Sequence, residues 1–316
     1  MNNIPTFLRT HFSTNNVEHE LRRVMSHLAE CAKYISAEIM RSNRNKAGST
    51  NGYGEQQLAL DVWADKRILD LLRAEQSFGM RQFVSEEQDE IIEVHSEGRG
   101  IGTNYSMTVD PLDGSSLVDV NLSIGTIIGI HRGDLLDGRP ARETMAAAMY
   151  MLYGPATTLV YSAGDGVHEF VIDPAGNWAL KQKGITMRSE GKIYCPGGNK
   201  IDWTPEHAKF IDNIESQGYK LRYSGALVAD FNQILMKGGG IFTYPALEGK
   251  PEGKLRLLME LQPLSFIVEQ AGGRATDGIE DILDKVPEKL DQRSPIYIGS
   301  QKEVSLAKKY LSADRK

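Results

Sequence analysis

Two short acidic stretches stand out, each following a run with strand character: Phe83-Val84-Ser85-Glu86-Glu87 and Val109-Asp110-Pro111-Leu112-Asp113-Gly114-Ser115-Ser116. A strand end is a rigid mount from which side chains can converge on a crevice. Pro111 fixes its own φ and biases Asp110 toward an extended shape, so the turn is stiff enough to aim Asp110 and Asp113 at a shared point. Hard divalent cations such as Mg²⁺ take oxygen ligands of this kind, from carboxylates and from carbonyls such as that of Leu112. Gly114-Ser115-Ser116 then offers consecutive backbone N–H groups entering a helix, where free donors and partial positive charge suit a phosphate. An isolated Glu-Glu pair is most often a solvated turn, and Asp-x-x-Asp-Gly is commonly a turn as well. The complete string of acids, Pro, Gly and two hydroxyls in fixed order is far more specific, and it points to metal-assisted phosphoryl chemistry.

The elements that must position these residues follow from periodicity. Residues 17–40 place Leu21, Val24, Met25, Leu28, Ala32, Ile35 and Ile39 on one helical stripe, with Asn15 or Asn16 as its cap. The polar stretch Arg41–Glu55 reads as a loop, and a second amphipathic helix runs from about Leu58 to Glu75. Strand signals follow at Gln82–Ser85, Ser106–Asp110 and Ile124–Ile130, with paired strands over 145–180. After Met187 the pattern becomes helix (205–217), strand (220–224), helix (226–236), strand (240–244), a helix over Gly253–Ala271, a strand (295–299) and a closing helix. The expectation is a layered α/β architecture in two halves, 1–189 and 190–316.

Composition narrows the function. The chain has 316 residues, 41% hydrophobic, with a formal net charge of −6. That balance excludes a broad basic face for nucleic acid. The apolar run Met145–Tyr153 is far too short to span a bilayer, so no membrane partner is expected. Cys31 and Cys195 stand far apart without CxxC spacing, and the start MNNIPTFLRTHF has no apolar h-region; a reducing, cytoplasmic setting fits. There is no GxxxxGK[ST] loop for nucleotide hydrolysis.

Val109–Ser116 resembles the signature of the inositol-monophosphatase and fructose-bisphosphatase superfamily. Leu221-Arg222-Tyr223-Ser224-Gly225, Gly239–Ala246 and Gly253-Lys254-Leu255-Arg256-Leu257-Leu258-Met259-Glu260 sharpen the match to class I fructose-1,6-bisphosphatases, approximately from residue 17 to residue 300. The resemblance implies the αβαβα sugar-phosphatase fold and hydrolysis of the 1-phosphate of fructose 1,6-bisphosphate. It implies metal ligands at Glu86, Asp110, Leu112 (carbonyl), Asp113 and Glu260, holding Mg²⁺ or alternatively Mn²⁺, with water activation by Glu87 and Asp61. Arg222, Tyr223, Tyr244 and Lys254 match residues that grip the distal phosphate. The Arg reaches in from a neighbouring subunit, so a homotetramer is implied. Taken singly, Tyr223 and Tyr244 would be core or rim aromatics, and Lys254 and Arg256 solvated helix charges.

The chain also departs from its relatives. In Ile193–Lys200, Asn199 stands near the place of a phosphate-binding amide, with Lys200 as the alternative contact. Glu18-His19-Glu20-Leu21-Arg22 replaces the hydroxyl- and glycine-rich helix entry of AMP-inhibited relatives, which weighs against that inhibition. Asp113–Ile128 and Cys195–Asn199 are similar to sedoheptulose-1,7-bisphosphatases, the rival substrate reading, and dual activity is a third. Inositol monophosphatase is less favoured because of Lys254–Glu260. A catalytically silent sugar-phosphate sensor on the same fold is the non-enzyme alternative.

Overall fold

The computed structural model describes residues 6–41, 46–50, 56–74, 78–94 and 104–312, with the backbone alone for 46–50 and 56–59. α1 (Leu8–Thr14), α2 (His19–Arg41) and α3 (Ala59–Ala74) form an outer helical layer. The predicted stripe of α2 is its buried face, from Leu21 to Ile35. The expected asparagine cap is corrected. Asn15 instead closes α1, its N–H donating to His11 O at 3.1 Å, and the first bond of α2 runs from Arg22 N to Glu18 O at 2.8 Å. α1 is only seven residues long, too short for its period to register in the sequence. The expected loop 41–55 is also corrected where it is described: β1 (Lys46–Thr50) pairs antiparallel with β2 (Gln56–Leu58). A pairing carried by backbone bonds between polar residues leaves no alternation to read. Residues 42–45 and 51–55 of that loop lie outside the described residues.

β3 (Met80–Ser85), β4 (Ile92–Glu93), β5 (Tyr105–Asp113) and β6 (Ile124–Arg132) precede a single helical turn, α4 (Ala141–Thr144). β7 (Met145–Tyr153), β8 (Thr157–Ser162), β9 (His168–Ile172) and β10 (Trp178–Lys183) then complete an eight-stranded sheet ordered β10-β9-β8-β7-β6-β5-β3-β4. β3 and β5 run parallel within it, and the other neighbours run antiparallel.

The second half alternates β11 (Ile193–Pro196), α5 (Pro205–Ser216), β12 (Lys220–Leu221), α6 (Leu227–Met236), β13 (Ile241–Tyr244) and β14 (Leu255–Arg256). α7 (Gln262–Gln270), β15 (Arg274–Thr276), β16 (Arg293–Ser294), β17 (Ile296–Gly299) and α8 (Gln301–Ser312) follow. Five strands form a sheet ordered β12-β11-β13-β17-β15, while β14 pairs with β16. The helix expected over 253–271 is shorter than predicted. Leu255–Arg256 is strand, Leu257–Leu261 is a π turn, and only Gln262–Gln270 is α-helical. Pro263 has no amide to donate and its ring would crowd the carbonyl four residues back, so the chain widens ahead of it.

Side-chain alternation assembles the layers. In β7, Ala147, Met149 and Met151 join α1, α2 and α3 in one core, whereas Ala148 and Tyr150 face α6 and α7 in another. In the second sheet, Cys195, Phe242, Ile296 and Ile298 join that middle core, while Tyr194, Ile241 and Tyr297 pack on α5 and α8. The layers run helices, sheet, helices, sheet, helices, which is the expected αβαβα order. β7, from Met145 to Tyr153, is buried along almost its whole length and carries no charged residue, which is why it reads as a continuous apolar run.

Candidate active site

Because β3 and β5 are parallel, their C-terminal ends lie side by side, and Glu86 N donates to Val109 O at 3.0 Å. The two acidic stretches are therefore neighbours. Within β5 the register slips: Asp110 faces Ile127 and Asp113 faces Gly125, so β5 spends one residue more than β6 on that step. Residues three apart on a regular strand point to opposite faces, and the extra residue of a bulge cancels that reversal. Pro111, which cannot donate to the ladder, sits where the pairing is interrupted. Glu260 arrives from the π turn. Carboxylate oxygens of Asp110, Asp113 and Glu260 lie within 4.8 Å of one another.

The electrostatics of this trio are severe. Burial, then the charges of Asp113, Glu260 and Asp61, push the Asp110 carboxyl well above its ordinary range, against one bond from Leu112 N at 3.0 Å. Asp113 keeps some exposed surface, yet its carboxyl is pushed up to about 7, first by desolvation and then by Glu260, despite accepting from Val228 N at 2.6 Å. Crowded buried carboxylates repel, and a bound cation reverses that balance. The donor set fits a hard divalent ion: it is all oxygen, with no His or Cys.

Glu86 lines the same cleft, but its carboxylate is paired with the Arg256 guanidinium. Arg256 is thus not a solvated helix charge. It is 2% exposed, and its N–H donates to Glu260 Oε2 at 2.5 Å. Leu112 lines the cleft between the two aspartates. Asp61, in the first turn of α3, is buried and also lines it, as does the partly buried Glu87. The turn carrying Glu86 and Glu87 is braced from within: Glu87 N donates to Ser85 Oγ at 3.3 Å, and Gln88 Nε2 donates to the buried Asp65 at 2.5 Å.

Gly114, Ser115 and Ser116 border the trio. Gly114 has φ +80°, and a Cβ there would stand 2.5 Å from Ala226 Cβ. The helix expected after it is a 3₁₀ helix, Ser115–Val120. The cleft, about 260 Å³, continues to Tyr223, Tyr244 and Lys254, whose Nζ lies 5.8 Å from the Tyr244 ring centre. Burial, then Tyr244, pushes the Tyr223 phenol up to about 12, so it remains a hydrogen-bond donor. Asn199 lies in an adjoining recess shared with Tyr223, Tyr244, Lys250 and Lys254, and its Nδ2 donates to Asp202 at 3.3 Å. Lys200 points elsewhere, 4.0 Å from Asp212. Arg222 is exposed, lines neither space, and donates from Nη1 to Leu221 O at 2.8 Å.

Sequence reasoning missed Arg293, which lines the cleft opposite Arg256 in the β14–β16 pair, and the buried acids Asp65 and Asp230. Asp65 was findable, being one helical turn after Asp61 on the same face. Arg293 follows a stretch with no periodic signal.

Two family models match consecutive parts of the chain: the N-terminal domain of fructose-1-6-bisphosphatase over residues 6–183 and its C-terminal domain over residues 187–312. A class 1 fructose-1,6-bisphosphatase of Geobacter sulfurreducens is 46% identical over 304 residues, covering 96% of this chain and 95% of that one. One from Trichlorobacter lovleyi is 47% identical over 307 residues, covering 97% and 95%. The crystal structure of Leishmania major fructose-1,6-bisphosphatase in holo form matches with a TM-score of 0.90 at 32% identity, covering 97% of this chain and 99% of that one.

Proposed function

The chain belongs to the class 1 fructose-1,6-bisphosphatase family, and on that premise we propose that it hydrolyses the 1-phosphate of fructose 1,6-bisphosphate to fructose 6-phosphate and phosphate. The observation that carries the reading is the convergence of Asp110, Asp113 and Glu260 beside the Gly114–Ser116 segment in a cleft that runs on to Tyr223, Tyr244 and Lys254. One end is built for cations and a reacting phosphate, the other for a second phosphate.

Asp110, Asp113 and Glu260 would hold Mg²⁺, or Mn²⁺ in its place, with the Leu112 carbonyl and Glu86 completing the set once Glu86 leaves Arg256. Bound there, the ions supply charge neutralisation for the entering and leaving oxygens of an in-line displacement. Asp61 and Glu87 orient a water toward the phosphorus and take its proton. The N–H groups and hydroxyls of Gly114–Ser116 hold the reacting phosphate. The phenols of Tyr223 and Tyr244 and the Lys254 ammonium hold the distal one, with Asn199 at its margin. Arg222, exposed on the surface, is suited to reach a neighbouring subunit's cleft, and we propose a homotetramer on that basis. The halves 1–189 and 190–316 then divide the labour, cation chemistry in the first and sugar-phosphate recognition in the second, with Glu260 crossing between them. Among the described residues no helix is long and apolar enough to cross a membrane. A cytoplasmic role in carbohydrate metabolism, gluconeogenic or of Calvin type, fits the reading.

The test is phosphate release from a panel of fructose 1,6-bisphosphate, sedoheptulose 1,7-bisphosphate and inositol monophosphate with Mg²⁺, repeated with EDTA. Fructose 1,6-bisphosphate should have the largest kcat/KM, and chelation should abolish turnover. A strong preference for the seven-carbon substrate would reassign the enzyme, and binding without turnover would make it a sensor.

A further inference from the structure

Asp230 takes no part in the roles assigned above, yet it is fully buried in the first turn of α6, the helix whose entry, at Gly225 and Leu227, lines the cleft. Its carboxylate gathers the main chain that enters the helix. Ser224 N donates to Oδ1 at 2.9 Å and Oδ2 at 3.0 Å, and Gly225 N donates to Oδ2 at 3.4 Å. Gln233 Nε2, 3.4 Å from Oδ1, steadies it from the next turn. The other end of the same segment is tied to the sheet, where Arg222 N donates to Tyr194 O at 2.8 Å. Between these two anchors stands Tyr223.

Tyr223 is 47% exposed, so packing alone does not fix its ring. Its direction is inherited from a backbone with one fastening before it and Asp230 after it. The adjacent Gly225 has φ +102°, a conformation with no regular ladder to support it, so side-chain acceptors must hold it. The first turn of α6 also donates Val228 N to Asp113 at 2.6 Å. One helical turn thus carries fastenings to the cation cluster and to the Tyr223 segment.

We propose that Asp230 is a positioning residue for distal-phosphate recognition: by fixing Ser224 and Gly225 it holds Tyr223 toward the far end of the cleft and sets the preference for a bisphosphate over a monophosphate. The proposal rests on the sugar-bisphosphatase reading and is tested separately from it. Fructose 1-phosphate presents the same reacting group without the second phosphate. In metal-replete full-length protein, kcat/KM for fructose 1,6-bisphosphate and for fructose 1-phosphate is measured for wild type, Asp230→Ala and Asp230→Asn. The alanine variant should lower the bisphosphate-to-monophosphate ratio about tenfold, carried by KM rather than kcat, because a binding interaction common to ground and transition states is lost. Asp230→Asn keeps the shape and one acceptor oxygen, and should lower the ratio by a smaller factor. A purely structural acid would instead depress both substrates in parallel, which overturns the proposal. If the alanine variant does not fold, the asparagine variant decides: an unchanged ratio refutes and a lowered one supports. A wild type with no preference for the bisphosphate sinks the bisphosphatase reading and this proposal together. A wild-type preference that is unchanged in Asp230→Ala sinks the proposal alone.

Discussion

The Arg256 guanidinium lies against the Glu86 carboxylate inside the acidic cleft, with Arg256 2% and Glu86 16% exposed. A positive side chain is therefore embedded beside Asp110, Asp113 and Glu260, and the main chain of the same residue holds Glu260 through its N–H. Removing one partner of a buried ion pair strands the other charge, at a cost of about 3–5 kcal/mol. Arg256→Met should accordingly lower the melting temperature of the EDTA-treated protein, and Mg²⁺ should recover more stability in the variant than in the wild type. Thermal melts with EDTA and with Mg²⁺ read both effects. Equal Mg²⁺-induced shifts in the two proteins would show that the pair is electrostatically separate from the cation site.

The raised carboxyls give the metal-free protein an unusual pH dependence. Asp113 is pushed up to about 7 by burial and by Glu260, from an ordinary value of 3.8. Between those limits the folded chain keeps a proton on this group that the unfolded chain has lost, so the contribution of Asp113 to stability falls as pH rises through the window. A depressed carboxyl would give the opposite slope. Burial holds His11, His131, His168 and His207 below the ordinary imidazole range, and these slope the other way between pH 4 and 6.5, so the carboxyl is read as a difference. In melts of EDTA-treated protein from pH 4 to pH 7.5, the wild type should lose stability relative to Asp113→Asn as pH rises. Mg²⁺ competes with that proton, so its stabilisation of the wild type should grow over the same range. A wild-type-minus-Asp113→Asn difference that stays constant from pH 4 to pH 7.5 would contradict the crowding of Asp110, Asp113 and Glu260.

Much of this site was legible in the sequence because its chemistry sits in contiguous strings. Asp110-Pro111-Leu112-Asp113-Gly114 carries its own bulge and its own left-handed turn, so local stiffness alone implied convergence. Glu260 and Lys254 came only through resemblance, since nothing local says that a segment so much further along the chain packs against β5. Arg256 was misjudged for the same reason: its charge is answered by Glu86, a partner 170 positions away. Long apolar strands were read well because both faces are buried. The 253–271 segment was read as one helix because apolar spacing does not register the disruption that Pro263 imposes. The short α1 and the polar β1–β2 pairing had too little period or apolar contrast to register.

Gly114 joins the two halves by close approach. Its φ is +80°, and a methyl group on its Cα would stand 2.5 Å from Ala226 Cβ, which leaves no room for a side chain. Gly114→Ala should cost about 1–2 kcal/mol from the left-handed backbone and about 1–3 kcal/mol more from the forced separation of the two segments. The displaced segment carries the phosphate-cradling N–H groups, so kcat should fall with stability. Ala226→Gly in the same chain relieves the clash but leaves the backbone strain, and should restore part of the melting temperature. A single Gly114→Ala variant with unchanged melting temperature and kcat would refute the close approach.

Arg222 lines neither recess of its own chain, and this makes its contribution separable from the cation cluster. Asp113→Ala should remove turnover altogether, because the cluster loses a ligand that no neighbour replaces. Arg222→Ala should instead raise KM for the bisphosphate roughly tenfold with little change in kcat, as expected when a guanidinium fork to phosphate is lost. Mixing the two variants under conditions that exchange subunits discriminates where Arg222 acts. If it serves a neighbour, hybrid assemblies contain sites with an intact cluster and an intact arginine from the adjoining Asp113→Ala chain, and part of the low-KM activity returns. If it serves its own cleft, every site in the mixture carries one defect, and the kinetics remain the simple sum of the two variants measured apart.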